Sequence, residues 1–203
     1  MLIEAFLWTV DRSLEIIATI TGLLYIIYSV ERNILLWPYG IVSSAIYVYV
    51  FFDAGIYADM GLYVYYVFIG IYGWYHWYVA RSETNGNDGL LVGKTTVKQG
   101  IWLFLLTCLF YVITLYILKK YTNSNIPYWD SFTTAVSITA TWMLTQKIKE
   151  HWILWIIVDS ISIGIYLYKE LYPSIILFLV YTILAVTGYI EWNREWKRQL
   201  TKN

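Results

Sequence analysis

Between His151 and Tyr168 the chain reads HWILWIIVDSISIGIYLY, an apolar run with one carboxylate, Asp159, set deep inside it. At helical periodicity Trp152, Trp155, Asp159, Ser162 and Tyr166 follow one another at steps of three or four, so they share a face. That face carries two indoles, a carboxylate, a hydroxyl and a phenol. A charged side chain at mid-bilayer is costly and faces a bundle interior or a cavity, which makes Asp159 a functional candidate. Aromatic rings beside a carboxylate hold an organic cation, through ring quadrupole and charge together. The plain alternative is a structural hydrogen bond from a neighbouring helix to Asp159.

Other residues join this substrate-binding set. Thr134, Ser137, Thr141 and Thr145 share a face of the fifth apolar segment, and Thr141 is included; Trp37, Ser44 and Tyr63 are taken from the first half. Against each hydroxyl stands the habit of Ser and Thr to bond back to their own helix carbonyls. Trp74, Trp77 and Trp192 lie near segment ends, where indoles form interfacial belts, and are read that way. Asp59 reads as a helix cap. Catalysis has little to work with. Cys108 is alone, His76 and His151 sit apart near segment ends, and no HExxH, GxSxG or P-loop pattern occurs. An intramembrane enzyme using Asp159 with Tyr166 or His151 would need a second carboxylate on that face, and there is none. The expectation is a non-enzyme with no metal and no cofactor.

The elements that must position these groups follow from composition. Of 203 residues, 59% are hydrophobic, 20% aromatic and only 14% charged, against about 25% charge in a soluble domain. The sequence therefore predicts an all-α polytopic membrane protein in contact with the lipid bilayer. Formal net charge is zero, which gives no reason to expect a nucleic-acid partner. Spans are expected at 14–30, 35–52, 60–79, 100–118, 131–145, 151–168 and 174–192, seven in all, each near the roughly 20 residues a bilayer core requires. Residues 1–13 read as a lead-in without a basic start or cleavage site, so no signal peptide is expected. Residues 81–98 form the long hydrophilic stretch and read as a flexible loop.

Lysine and arginine set the orientation. Arg12, Lys119, Lys120 and Lys169 fall on one side, four in number; Arg32, Arg81, Lys94, Lys98, Lys147, Lys149, Arg194, Lys197, Arg198 and Lys202 fall on the other, ten in number. Positive residues mark the cytoplasm, which puts the N-terminus outside and the C-terminus inside.

The two ends of the chain resemble each other. Glu31 to Trp37 match Lys149 to Trp155 at an offset of 118, Tyr47 and Tyr49 match Tyr166 and Tyr168 at 119, and Tyr66, Gly70, Gly73 and Trp77 match Tyr181, Ala185, Gly188 and Trp192 at 115. The expected organisation is a three-helix repeat over 14–80, a cytoplasmic loop over 81–98, a linker helix over 99–120 and a second three-helix repeat over 131–193. The linker restores the direction that a triplet reverses, so the repeats run parallel, an architecture of transporters with a site near the midplane.

A 3+1+3 chain carrying Trp37-Pro-Tyr-Gly, Tyr57-Ala-Asp59, Tyr72-Gly-Trp-Tyr-His-Trp77, Asp130-Ser-Phe-Thr-Thr134 and Trp152-Ile-Leu-Trp155 ahead of Asp159 resembles the PnuC family of bacterial vitamin transporters. The resemblance implies a SWEET-like fold in the bacterial cytoplasmic (inner) membrane, with the WxxW pair, here Trp152 and Trp155, at the substrate. It implies facilitated diffusion of nicotinamide riboside, with thiamine or riboflavin taken by relatives, trapping by a cytosolic kinase, and a possible homo-oligomer. Two positions depart from the family pattern: Tyr63 stands in place of an expected glutamine, and Asp159 where asparagine is common.

Overall fold

A computed structural model gives the chain seven helices: α1 (Leu2–Val30), α2 (Leu36–Asp53), α3 (Tyr57–Glu83), α4 (Val97–Tyr121), α5 (Pro127–Thr145), α6 (His151–Tyr168) and α7 (Tyr172–Leu200). It describes residues 2–53, 57–83, 89–122, 124–168, 170 and 172–201. Residues 54–56 of the expected polar turn and 84–88 of the expected loop lie outside that set, as do the side chains of 2–12. The seven helices match the seven expected segments, with shifted ends. Helix α1 runs unbroken from Leu2 through the expected lead-in, and α5 opens at Pro127 rather than 131. Proline suits a first helical turn because its missing N–H is one that the helix could not use. By length and apolar composition Val97–Tyr121, His151–Tyr168 and Ile175–Leu200 qualify as candidate spans. Ile16–Val30 of α1 is apolar but shorter, and α2, α3 and α5 are diluted in hydropathy by tyrosine, serine, threonine and glycine.

The chain divides into two compact units, residues 1–76 and 77–203. In the first, α1 packs along α2. Ser43 donates its hydroxyl to the Ala18 carbonyl at 2.8 Å, and Tyr28 and Tyr39 stack at 5.3 Å. In the second, α4 packs on α5, α5 on α6 and α6 on α7. Thr107 and Thr139 share a hydroxyl–hydroxyl bond of 2.7 Å across α4 and α5. Leu103, Met143 and Ile148 form an apolar cluster beneath it. A capping box between Thr96 and Gln99 starts α4, whose apolar side chains, Trp102 and Phe104 among them, are largely exposed. Such a surface suits lipid rather than water.

One backbone pattern occurs in both units, and its register is uniform. Helices α2 and α6 start 115 residues apart and end 115 residues apart, and α3 and α7 start 115 apart. The turns before α2 and α6 agree bond for bond. Asn33 N–H donates to Tyr28 O as Ile148 N–H donates to Met143 O, and Leu36 N–H to Asn33 O as His151 N–H to Ile148 O. Arg32 and Lys147, also 115 apart, both take left-handed backbone, at φ 59° and 54°, a conformation that L-residues adopt rarely. The offsets of 118 and 119 read from side-chain identity are therefore a slip of register. WILW holds two tryptophans, and the turn geometry pairs Trp37 with Trp152 rather than Trp155.

Residues 92–95 of the expected loop are not loose. Gly93 N–H donates to Lys147 O at 3.0 Å, and Lys149 N–H donates to Gly93 O at 3.1 Å. Thr95 gives both its N–H and its hydroxyl to Glu150 Oε2, at 2.9 and 3.0 Å, and Val92 is buried. Residues 92–95 form a strap fixed to the α5–α6 turn. Composition alone missed it because the partners lie more than 50 residues away.

Candidate substrate site

Helix α6 places its polar residues as the spacing predicts. Trp152, Asp159 and Ser162 are buried, and Trp155 and Tyr166 are half-buried. The environment of each differs. Among the described residues many serine and threonine hydroxyls bond carbonyls of their own helices: Thr141 bonds Ser137 O at 2.8 Å, Thr145 bonds Trp142 O at 2.7 Å and Ser160 bonds Ile156 O at 2.7 Å, whereas the buried Ser44 and Ser137 hydroxyls bond none. Asp159 and Ser162 are also exceptions. Each is buried, at 5% and 7% exposure, and among the described residues neither side chain has a hydrogen-bond or ion-pair partner. The charged form of an unpaired buried carboxylate is costly, and either a proton or a cationic neighbour relieves it. Trp155, one turn before Asp159, likewise has no ring contact among the described residues.

Trp152 has a different setting. Its ring lies 4.6 Å from that of His151 and 6.0 Å edge-on from that of Trp192, and a Cβ at Gly188 would meet three of its ring atoms inside 3.0 Å. The absent side chain of Gly188 is the slot that accepts the indole. His151 Nδ1 lies 2.7 Å from Ile148 O and serves as the N–H donor to it. The first unit repeats the device: Trp37 is buried, and its ring fills the space where a Cβ at Gly73 would stand. Trp37 and Trp152 thus lock helices together within their own units.

The belt reading fails for two tryptophans. Trp192 is fully buried and Trp77 is 4% exposed, whereas Trp74 is 43% exposed. Trp77 donates its indole N–H to Thr145 O at 3.0 Å, lies 6.5 Å from Trp192, and carries the Lys147 ammonium 4.6 Å over its ring. No local signal marked these two: the glycine four residues before each, Gly73 and Gly188, receives the ring of Trp37 or Trp152 from a neighbouring helix instead.

The remaining candidates are placed separately. Thr141 is buried on α5 with its hydroxyl turned to its own helix, and no described contact joins it to the α6 face. Ser44 is buried on α2 with no partner among the described residues, and in the 115-residue register it occupies the position of Asp159. Tyr63 stands in an aromatic group with Tyr47, Phe51 and Tyr66 at 4.9, 5.2 and 5.4 Å. Tyr166 lies 5.1 Å from Phe178 of α7. Asp59 sits in the first turn of α3, where a carboxylate complements the helix dipole. No group of three metal-ligating side chains occurs among the described residues.

Comparison with known proteins bears on this arrangement. The family described as Nicotinamide mononucleotide transporter matches residues 12–194. The nicotinamide riboside transporter PnuC of Neisseria mucosa is 27% identical over 204 residues, covering 95% of this chain and 76% of the relative. The protein of the same name from Escherichia coli is 24% identical, covering 88% and 84%. The crystal structure of the Vitamin B3 transporter PnuC superposes with a TM-score of 0.75 at 25% identity, covering 96% of this chain and 86% of that one.

Proposed function

Because the chain belongs to the nicotinamide mononucleotide transporter family, we propose that it carries nicotinamide riboside across the bacterial inner membrane by facilitated diffusion. The observation that carries the reading is the pair of buried, unpartnered groups on α6, Asp159 and Ser162, with the open indole of Trp155 one turn away. Nicotinamide riboside presents a flat pyridinium and a hydroxylated ribose. The ring stacks on Trp155 with its charge against Asp159, and a sugar hydroxyl takes up Ser162. Tyr166, Ser44, Tyr63 and Thr141 complete the proposed set, with Trp37 and Trp152 as the packed indoles that hold α2 and α6 in place.

The common 115-residue register supports two parallel three-helix repeats, over 14–80 and 131–193, joined by α4. The distribution of lysine and arginine supports a C-terminus in the cytoplasm. No motif for coupling to nucleotide hydrolysis occurs in the sequence, and one mid-span carboxylate is not a proton relay. Net flux then stops when free substrate is equal on both sides, so accumulation depends on a cytosolic kinase that phosphorylates the vitamin. Self-association is part of the same reading.

Uptake into proteoliposomes tests it. The expected result is entry of labelled nicotinamide riboside up to the external concentration, and beyond it only when a kinase and ATP are enclosed. Accumulation without the kinase would refute uniport; preferential uptake of thiamine, whose thiazolium also suits Asp159, would reassign the substrate.

A further inference from the structure

Just before α6, the strap and the α5–α6 turn gather positive charge around one indole. Lys149 Nζ lies 3.6 Å from the centre of the Trp196 ring and donates to Asn193 Oδ1 at 2.6 Å. Lys94 Nζ, carried by the strap, lies 5.7 Å from the same ring. Lys197 follows Trp196 directly on α7. Lys149 is 4% exposed, which is unusual for a lysine. Its ammonium meets an amide oxygen and a ring face where a carboxylate would be the ordinary partner. Burial holds its pKa below the usual lysine value, Glu150 opposes that shift, and Lys94 and Lys197 add to it.

The adjacent carboxylate in sequence, Glu150, is already engaged, since it accepts two bonds from Thr95. Arg194 and Arg198 are paired along α7 with Glu191 and Glu195. Lys94, Lys149 and Lys197 form no ion pair among the described residues. Their side of the bundle is explained by topology, because positive residues stay cytoplasmic. Topology does not explain why backbone bonds at Gly93 bring Lys94 to the ring that a buried Lys149 already occupies. Concentrated like charge is stabilised by a multiply charged anion, and lysine is a regular phosphate ligand.

We propose that Lys94, Lys149 and Lys197 form a phosphate-binding site around Trp196, distinct from the α6 face. The ligand chemistry is a phosphate group, whether on an anionic phospholipid headgroup or on a free phosphomonoester. Basic pockets beside membrane helices hold such headgroups. The assignment stands without reference to which vitamin is carried.

The test uses the full chain, purified and delipidated in detergent. Inorganic phosphate is titrated against chloride at constant ionic strength while the thermal midpoint is followed. A second arm compares nanodiscs of phosphatidylcholine with and without phosphatidylglycerol. The variant is Lys94→Ala with Lys197→Ala, both exposed positions; Lys149→Met is a further variant. A rise in wild-type midpoint with phosphate, and a half-saturation at least about tenfold higher in the double variant, assigns free phosphate. A rise only with phosphatidylglycerol, lost in the double variant, assigns lipid. No response of the wild type to either anion, or an equal response of the double variant, overturns the site.

Discussion

Replacing Asp159 by asparagine separates the two readings of that carboxylate. In the structure it is 5% exposed with no partner among the described residues. A cationic ring about 4 Å away gains roughly 4 kcal/mol of attraction at an effective dielectric of about 20. Stripping water from the ligand takes back part of this, which leaves about 1.5–3 kcal/mol, the usual worth of a contact to a charged group. At about 1.4 kcal/mol per factor of ten, Asp159→Asn should weaken binding of nicotinamide riboside by about ten- to a hundredfold. The unliganded protein should be as stable as the wild type or more so, because an unpaired buried charge has been removed. The assay is quenching of intrinsic tryptophan fluorescence on titration with nicotinamide riboside and, separately, thiamine, with Trp155→Phe to locate the quenched ring, alongside thermal melts without ligand. Wild-type affinity in Asp159→Asn would refute the cation site. A lowered melting point would mean that Asp159 ties helices together instead.

Three further outcomes follow from packing. Gly188→Ala places a methyl group inside 3.0 Å of the Trp152 ring, which is itself held by His151 and Trp192. Overpacking of about 1–3 kcal/mol should outweigh the roughly 1 kcal/mol gained in helix propensity, so the melting point falls; a rise would show the slot to be loose. Trp192→Ala should cost about 3–5 kcal/mol of stability as a core truncation, whereas Trp155→Ala should leave the melting point nearly unchanged and abolish quenching by ligand, and the opposite ranking would exchange their roles. Glu150→Ala removes the acceptor of both Thr95 bonds, so amide hydrogen exchange over residues 92–95 should accelerate; unchanged protection would mean that the Gly93 bonds hold the strap alone.

Much of this was legible in the sequence because it rests on local periodicity. The α6 face was set by steps of three and four, and α6 begins and ends where the apolar run does. Other features depended on partners distant in the chain. Trp77 and Trp192 sit at segment ends like belt residues, and only the packing of α7 against α6, with the Thr145 carbonyl nearby, buries them. The strap looks disordered by composition, yet Gly93 pairs with a turn more than 50 residues on. Side-chain identity displaced the repeat register by three residues at the turn and four in the second helix; at the turn, Trp152 and Trp155 are equivalent as letters and differ only in what faces them. The openness of Asp159 and Ser162 was also beyond the sequence, since it is a statement about every neighbour that fails to reach them.

The uniform spacing of the two turns has a consequence for ancestry and for engineering. With no insertion between Arg32 and Trp77 relative to Lys147 and Trp192, a crossover between the halves would leave the chain length unchanged, so segments can be exchanged without redesigning a loop. What such an exchange would not preserve is the division of labour. One copy has serine at position 44 and the other aspartate at 159. The shared backbone register thus carries an unshared charge.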